Sequence, residues 1–154
     1  MLELRIAEAD PTRAEVIALL ALHLAEMHQW SPPESVHAMP AERLGASDVT
    51  FYAAWDGPRL AGFGALKQLA PDHGELKSMR AHPDYRGKGV GKAILAHLLA
   101  EARARGYARV SLETGRPEAF APARGLYRSA GFAECPPFGD YPADDFSLCM
   151  TRTL

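Results

Sequence analysis

The chain has 154 residues, 47% of them hydrophobic, which supplies apolar surface for one core and predicts a single domain over residues 1–154. A formal charge of −2 and a pI near 6.3 exclude an overall basic field and with it a nucleic-acid partner, while local basic clusters remain able to hold a phosphorylated ligand. No apolar run approaches the roughly 18 residues that cross a bilayer, and Met1-Leu2-Glu3-Leu4-Arg5 lacks a basic-then-apolar leader, so a cytoplasmic protein with no membrane partner is expected.

Leu2 to Ala7 reads as an edge strand, and the apolar spacing from Pro11 to Trp30 as a first helix. Pro32-Pro33 breaks that helix, and a short one is predicted over Pro40 to Leu44. Val49 to Trp55 and Arg59 to Leu69 are strand-like and joined by the turn Asp56-Gly57-Pro58, with a bulge or bend expected at Gly62 and Gly64. Glu75 to Ala81 is a further strand, ended by His82-Pro83-Asp84. Val90, Ile94, Leu95, Leu98, Leu99 and Ala102 form the apolar stripe of a helix that Gly106 can terminate. Arg109 to Thr114 alternates as a strand, Pro122 can open a helix ending at Ala130-Gly131, and Phe146 to Thr153 reads as a last strand, with room for one more near Phe132. This order predicts an α/β (α+β) fold with a mixed, mainly antiparallel central sheet flanked by helices. Cys135 and Cys149 are read as free thiols, and the six histidines have no metal-ligand spacing, so no metal is implied.

Arg86-Gly87-Lys88-Gly89-Val90-Gly91-Lys92 lies where a strand passes into a helix, so backbone N–H groups and the helix dipole converge on one point suited to an anion. It is not a Walker A loop, since Gly87 and Gly91 stand too close and Ala93 occupies the Ser/Thr position; nor does it have Gly-x-Gly-x-x-Gly spacing. With Arg86, Gly89 and Gly91 it resembles the Arg/Gln-x-x-Gly-x-Gly/Ala segment of GNAT acetyltransferases, preceded by Met79-Arg80-Ala81-His82-Pro83 and followed by Leu126-Tyr127-Arg128-Ser129-Ala130-Gly131-Phe132, similar to that superfamily's Leu-Tyr-x-x-x-Gly-Phe. Ser31 to His37, Leu112 to Gly115 and Pro137 to Tyr141 resemble a bacterial branch associated with indole-3-acetate acetyltransferases.

The resemblance implies acetyl-CoA as donor and CoA as product. It also implies that backbone groups of Met79, Arg80 and Ala81 bind pantetheine, that the loop from Arg86 to Lys92 binds pyrophosphate, and that Tyr127 approaches the cofactor sulfur. Glu75, eleven positions before Arg86, stands where some members carry a glutamate base and is the leading candidate for that role, with Glu113 at the end of the next strand as runner-up. A carboxylate acting near neutrality needs its pKa raised from ~4.3, or a water relay. Phe120 stands where many members have a cofactor-contacting Asn, which puts that contact in doubt. Glu34, Ser35, His37 and Glu113 are candidates for shaping the acceptor site. Direct transfer to the primary amine of a small molecule is the expected reaction. A protein or peptide N-acetyltransferase and a non-catalytic acyl-CoA sensor are the alternatives, and a homodimer is left open.

Overall fold

The computed structural model describes residues 2–37 and 39–154. Seven strands form one sheet in the order β1-β2-β3-β4-β5-β7-β6: β1 Arg5–Glu8, β2 Val49–Asp56, β3 Arg59–Ala70, β4 His73–Ala81, β5 Arg109–Gly115, β6 Ala133–Cys135 and β7 Ser147–Thr153. Among the described residues only β4 and β5 pair in parallel. Helices α1 Ala14–Trp30, α2 Ala41–Leu44, α3 Val90–Ala104 and α4 Ala121–Ser129 complete the chain. The short β6 is the additional strand expected near Phe132, and β1 is an edge strand that starts three residues later than its sequence suggests. Cys135 and Cys149, opposite one another on β6 and β7, are free thiols. No helix among the described residues is long and apolar enough to cross a membrane.

The period-2 alternation of β2 divides the core into two layers. Tyr52 and Ala54 pack with the α3 stripe of Val90, Ile94 and Leu98, whereas Phe51, Ala53 and Trp55 pack with Val16, Leu19 and Leu20 of α1 and Leu44 of α2. Each large aliphatic side chain so buried contributes ~1.5–3 kcal/mol. Helices α1 and α2 therefore cover one face of the sheet, α3 and α4 the other.

Three register shifts interrupt the alternation, one at Leu69 near the end of β3 and two that bear on the site. In β3, Trp55 pairs with Leu60 and Ala54 with Gly62, so Ala61 is extra. In β4, Lys77 pairs with Ala65 and Arg80 with Phe63, which leaves Ser78 and Met79 opposite Gly64. Ser78 takes a φ of 55°, a left-handed value uncommon for a residue with a Cβ. The bulge changes the strand's parity: Leu76 and then Met79 and Ala81 pack against α3, and Arg80 is turned to the α1 face beside Glu26. Gly62 permits this close approach, because a Cβ there would lie 2.5 Å from the Arg80 carbonyl oxygen.

Candidate active site

The site begins where β4 and β5 part. Their pairing runs only from His73 with Arg109 to Leu76 with Leu112; afterwards β4 follows β3 to Ala81 while β5 follows β7 to Gly115. Beyond Leu76 the facing edges no longer share hydrogen bonds, and a cleft of about 220 Å³ opens between them. Leu76 to Arg80 form one wall and Leu112 to Gly115 the other; Tyr127 of α4 closes the cleft from one layer, and Trp30 of α1 from the opposite one.

At the end of β4 the chain turns through Pro83–Tyr85 into the loop that precedes α3. Gly87 and Gly89 have φ of 72° and 80°, conformations glycine adopts without steric cost. The N–H groups of Gly87, Gly89, Val90, Gly91 and Lys92 have no acceptor among the described residues. Such a row of free donors at a helix N-terminus fits a diphosphate. Val90 contributes only its backbone, since its side chain is buried in the core. Lys88 and Lys92 are exposed beside the loop, and Arg86, also exposed, lies 3.9 Å from Glu26. Main-chain groups of Met79 to Ala81, on the parted edge of β4, are free of β5.

Three titratable side chains define the chemistry of the cleft. Glu113 lines it from β5, and burial raises its pKa to about 7, against the opposing pull of a Ser147 hydrogen bond and the Lys77 charge. Tyr127 lines it from α4, packed edge-on against Phe132 with ring centroids 6.0 Å apart. Burial, and secondarily the charge of Glu113, raise the phenol well above its ordinary pKa, so it stays protonated. Glu75 is only 2% exposed and does not line this cleft. It accepts a short hydrogen bond from the Tyr141 hydroxyl and pairs with Lys77 Nζ at 3.5 Å. Lys77 Nζ also donates to the Tyr141 hydroxyl oxygen at 2.6 Å. Lys77 and Tyr141 face both the cleft and a second hollow of about 350 Å³, and Glu75 opens only to the latter. The structure thus brings Tyr127 and Glu113 together, and sets Glu75 behind two intermediaries.

The α1 face supplies the remaining polar groups. Arg80 is ion-paired with Glu26, and His23 lies one turn earlier on α1. Burial, reinforced by the Arg80 charge, lowers the His23 pKa to about 4, so the ring is neutral at ordinary pH. His37 stands edge-on to Tyr141 at 5.0 Å, and burial together with Lys77 lowers its pKa. Ser35 is buried and donates to Asp144 at 2.9 Å, tying the segment after α1 to the segment before β7; Glu34 beside it is exposed and outside the cleft. Sequence reasoning missed the side chains of His23, Glu26, Lys77, Ser78 and Tyr141. The aromatic, acidic stretch from Phe138 to Asp145 was the available signal for Tyr141; for Ser78, and for the pairing of Arg80 with Glu26, the decisive fact is a bulge at an ordinary serine.

Comparison with known proteins agrees with this geometry. The model of the acetyltransferase (GNAT) family matches residues 17–132. The chain is 50% identical to the N-acetyltransferase YsnE of Bacillus subtilis over 94% of this chain and 96% of that one. It is 34% identical to an IAA acetyltransferase of Azospirillum brasilense over 97% of each. Among solved structures, an acyl-CoA N-acyltransferase from Klebsiella pneumoniae superposes with a TM-score of 0.79 at 29% identity, covering 98% of this chain and 97% of the other.

Proposed function

The chain belongs to the GNAT family of acetyltransferases, and from that premise we propose that it moves an acetyl group from acetyl-CoA to the primary amine of a small molecule by direct attack within one ternary complex. The observation that carries this reading is the continuity of the site. The free N–H groups of the Arg86–Lys92 loop stand at the end of the same strand whose parted edge lines the cleft holding Glu113 and Tyr127.

Acetyl-CoA, when bound, supplies an acetyl thioester whose carbonyl carbon is open to an amine. The loop donors and the α3 dipole hold the diphosphate, and backbone N–H groups of Met79 to Ala81 are available to the pantetheine amides and to the thioester oxygen as it gains charge. Glu113, with a pKa of about 7, takes a proton from the attacking amine while remaining largely ionised just above neutrality. Tyr127, held protonated by burial, donates a hydrogen bond to the departing sulfur. Because its pKa is raised above that of an ordinary phenol, stabilisation by donation is favoured over full proton transfer. Glu75 acts through Tyr141 and Lys77, fixing the floor of the cleft.

A small acceptor is supported by closure. The Ser35–Asp144 bond and the His37–Tyr141 contact join the segment after α1 to the segment before β7 beside the cleft, a closure that favours a small acceptor. Thiol release from acetyl-CoA, measured with small primary amines and with peptides of free N-terminus, tests the assignment. Turnover of small amines is expected, and turnover restricted to peptides would overturn it.

A further inference from the structure

We propose that the acceptor is an amino acid with an apolar side chain, its carboxylate seated on Arg80 and Ser78 and its amine turned toward Glu113; this deepens, and rests on, the acetyl-transfer reading above. Four side chains that line the cleft bury polar atoms with no hydrogen-bond partner among the described residues: His23 Nδ1, His37 Nε2, Ser78 Oγ and Arg80 Nε. Unpaired buried polar groups are costly in a folded protein, so four of them lining one cleft imply a ligand that pairs with them. Arg80 is the most telling, because its side chain is only 9% exposed and the Glu26 contact is made through Nη2, leaving Nε free. The β4 bulge, with Ser78 at a φ of 55°, is what turns Arg80 to this side, and both side chains line the cleft.

Chemistry points the same way. Glu26 engages Arg80 through Nη2, so Nε stays a free donor, and guanidinium recognises a carboxylate through directed N–H donors. The opposite wall carries Glu113, the group that attracts an amine. An amino acid, with its carboxylate at one wall and its amine at the other, complements the polar groups of the cleft. Between the walls, Trp30, Phe120 and Phe146 form an edge-on aromatic row with centroid spacings of 5.9 and 5.6 Å, an apolar seat for a side chain.

The test compares phenylalanine and leucine with their decarboxylated amines and their amides, using thiol release by the full chain with acetyl-CoA, and calorimetry of acetyl-CoA binding alone. The expected result is a kcat/KM at least about tenfold higher for the amino acids, because a site built around buried donors rejects a ligand that leaves them unpaired. In the Glu26→Gln/Arg80→Gln double variant, which removes both charges together, that preference disappears through KM, and calorimetry of acetyl-CoA on the same variant separates loss of the carboxylate seat from any change at the cofactor. Ser78→Ala removes part of the preference and serves if the double variant does not fold. Equal turnover of the decarboxylated amines or the amides would overturn the carboxylate seat and leave acetyl transfer standing. Binding of acetyl-CoA without turnover of any amino acid would overturn it also. Failure to bind acetyl-CoA would instead remove the reading beneath.

Discussion

Burial on β5 gives Glu113 both its position and its proton affinity, since the apolar surroundings that form the cleft wall also raise its pKa to about 7. The acetylation rate should therefore climb with pH up to neutrality and level off above it, as the carboxylate becomes available. Glu113→Gln should abolish that inflection and lower turnover roughly 10²–10⁴-fold; an unchanged pH–rate profile would reject Glu113 as proton acceptor. Glu75→Gln should cost less, because Glu75 reaches the cleft only through Tyr141 and Lys77, and a larger loss than in Glu113→Gln would exchange the two roles. Tyr127→Phe keeps the ring against Phe132 and removes the hydroxyl, so turnover should drop roughly tenfold to several-hundredfold with acetyl-CoA affinity unchanged. Family resemblance singles out Tyr127 and Glu75 in the sequence, with Glu113 on the next strand, and of the three Tyr127 and Glu113 line the cleft. Their relative roles could not be read there, since the Tyr141 that separates Glu75 from the cleft lies 66 positions away along the chain.

Among the elements, those governed by local rules were the most legible. The α3 stripe, the glycine loop before it and the Asp56-Gly57-Pro58 hairpin turn are each specified by neighbours within a few residues. The parting of β4 from β5 and the bulge at Ser78 are tertiary outcomes: β4 stays with β3, β5 stays with β7, and no residue type announces the divergence. Gly62 reports on this junction. Gly62→Ala would press a methyl group onto the Arg80 carbonyl at 2.5 Å; because the obstacle is backbone, the expected cost is ~1–3 kcal/mol, read from the urea midpoint, with acetyl-CoA affinity weakened as β4 shifts. Gly125, within α4, has nothing within 4 Å of its added Cβ. Gly125→Ala should accordingly stabilise by ~0.5–1 kcal/mol, and equal effects from the two substitutions would contradict the close packing assigned to Gly62.

Across the whole molecule, two buried groups that line the cleft, Glu113 from β5 and His23 from α1, give stability opposing responses to pH. Glu113 rises from 4.5 to about 7 on folding, so its contribution is fully present below pH 4.5 and is lost as pH rises toward 7, where the folded state binds more protons than the unfolded. His23 falls from 6.5 to about 4. Its contribution is present above pH 6.5 and is lost as pH falls toward 4. Between pH 4.5 and 6.5 the two slopes, each ~1.4 kcal/mol per pH unit, run in opposite directions and largely cancel. His37 and His73 are also held below their ordinary pKa, burial being the main cause, and add to the His23 direction. The wild-type protein should thus show a shallow loss of stability on acidification through this window. Glu113→Gln leaves the histidines unopposed and should steepen the loss to about 3 kcal/mol between pH 6.5 and 4.5. His23→Leu, which keeps an apolar side chain against Phe63, should flatten the profile or turn it upward, as Glu113 regains its proton in the fold. Urea midpoints for the three proteins, taken every half pH unit on the same buffers, separate the terms. Three parallel curves would mean that neither wall of the cleft is as dry as its burial indicates.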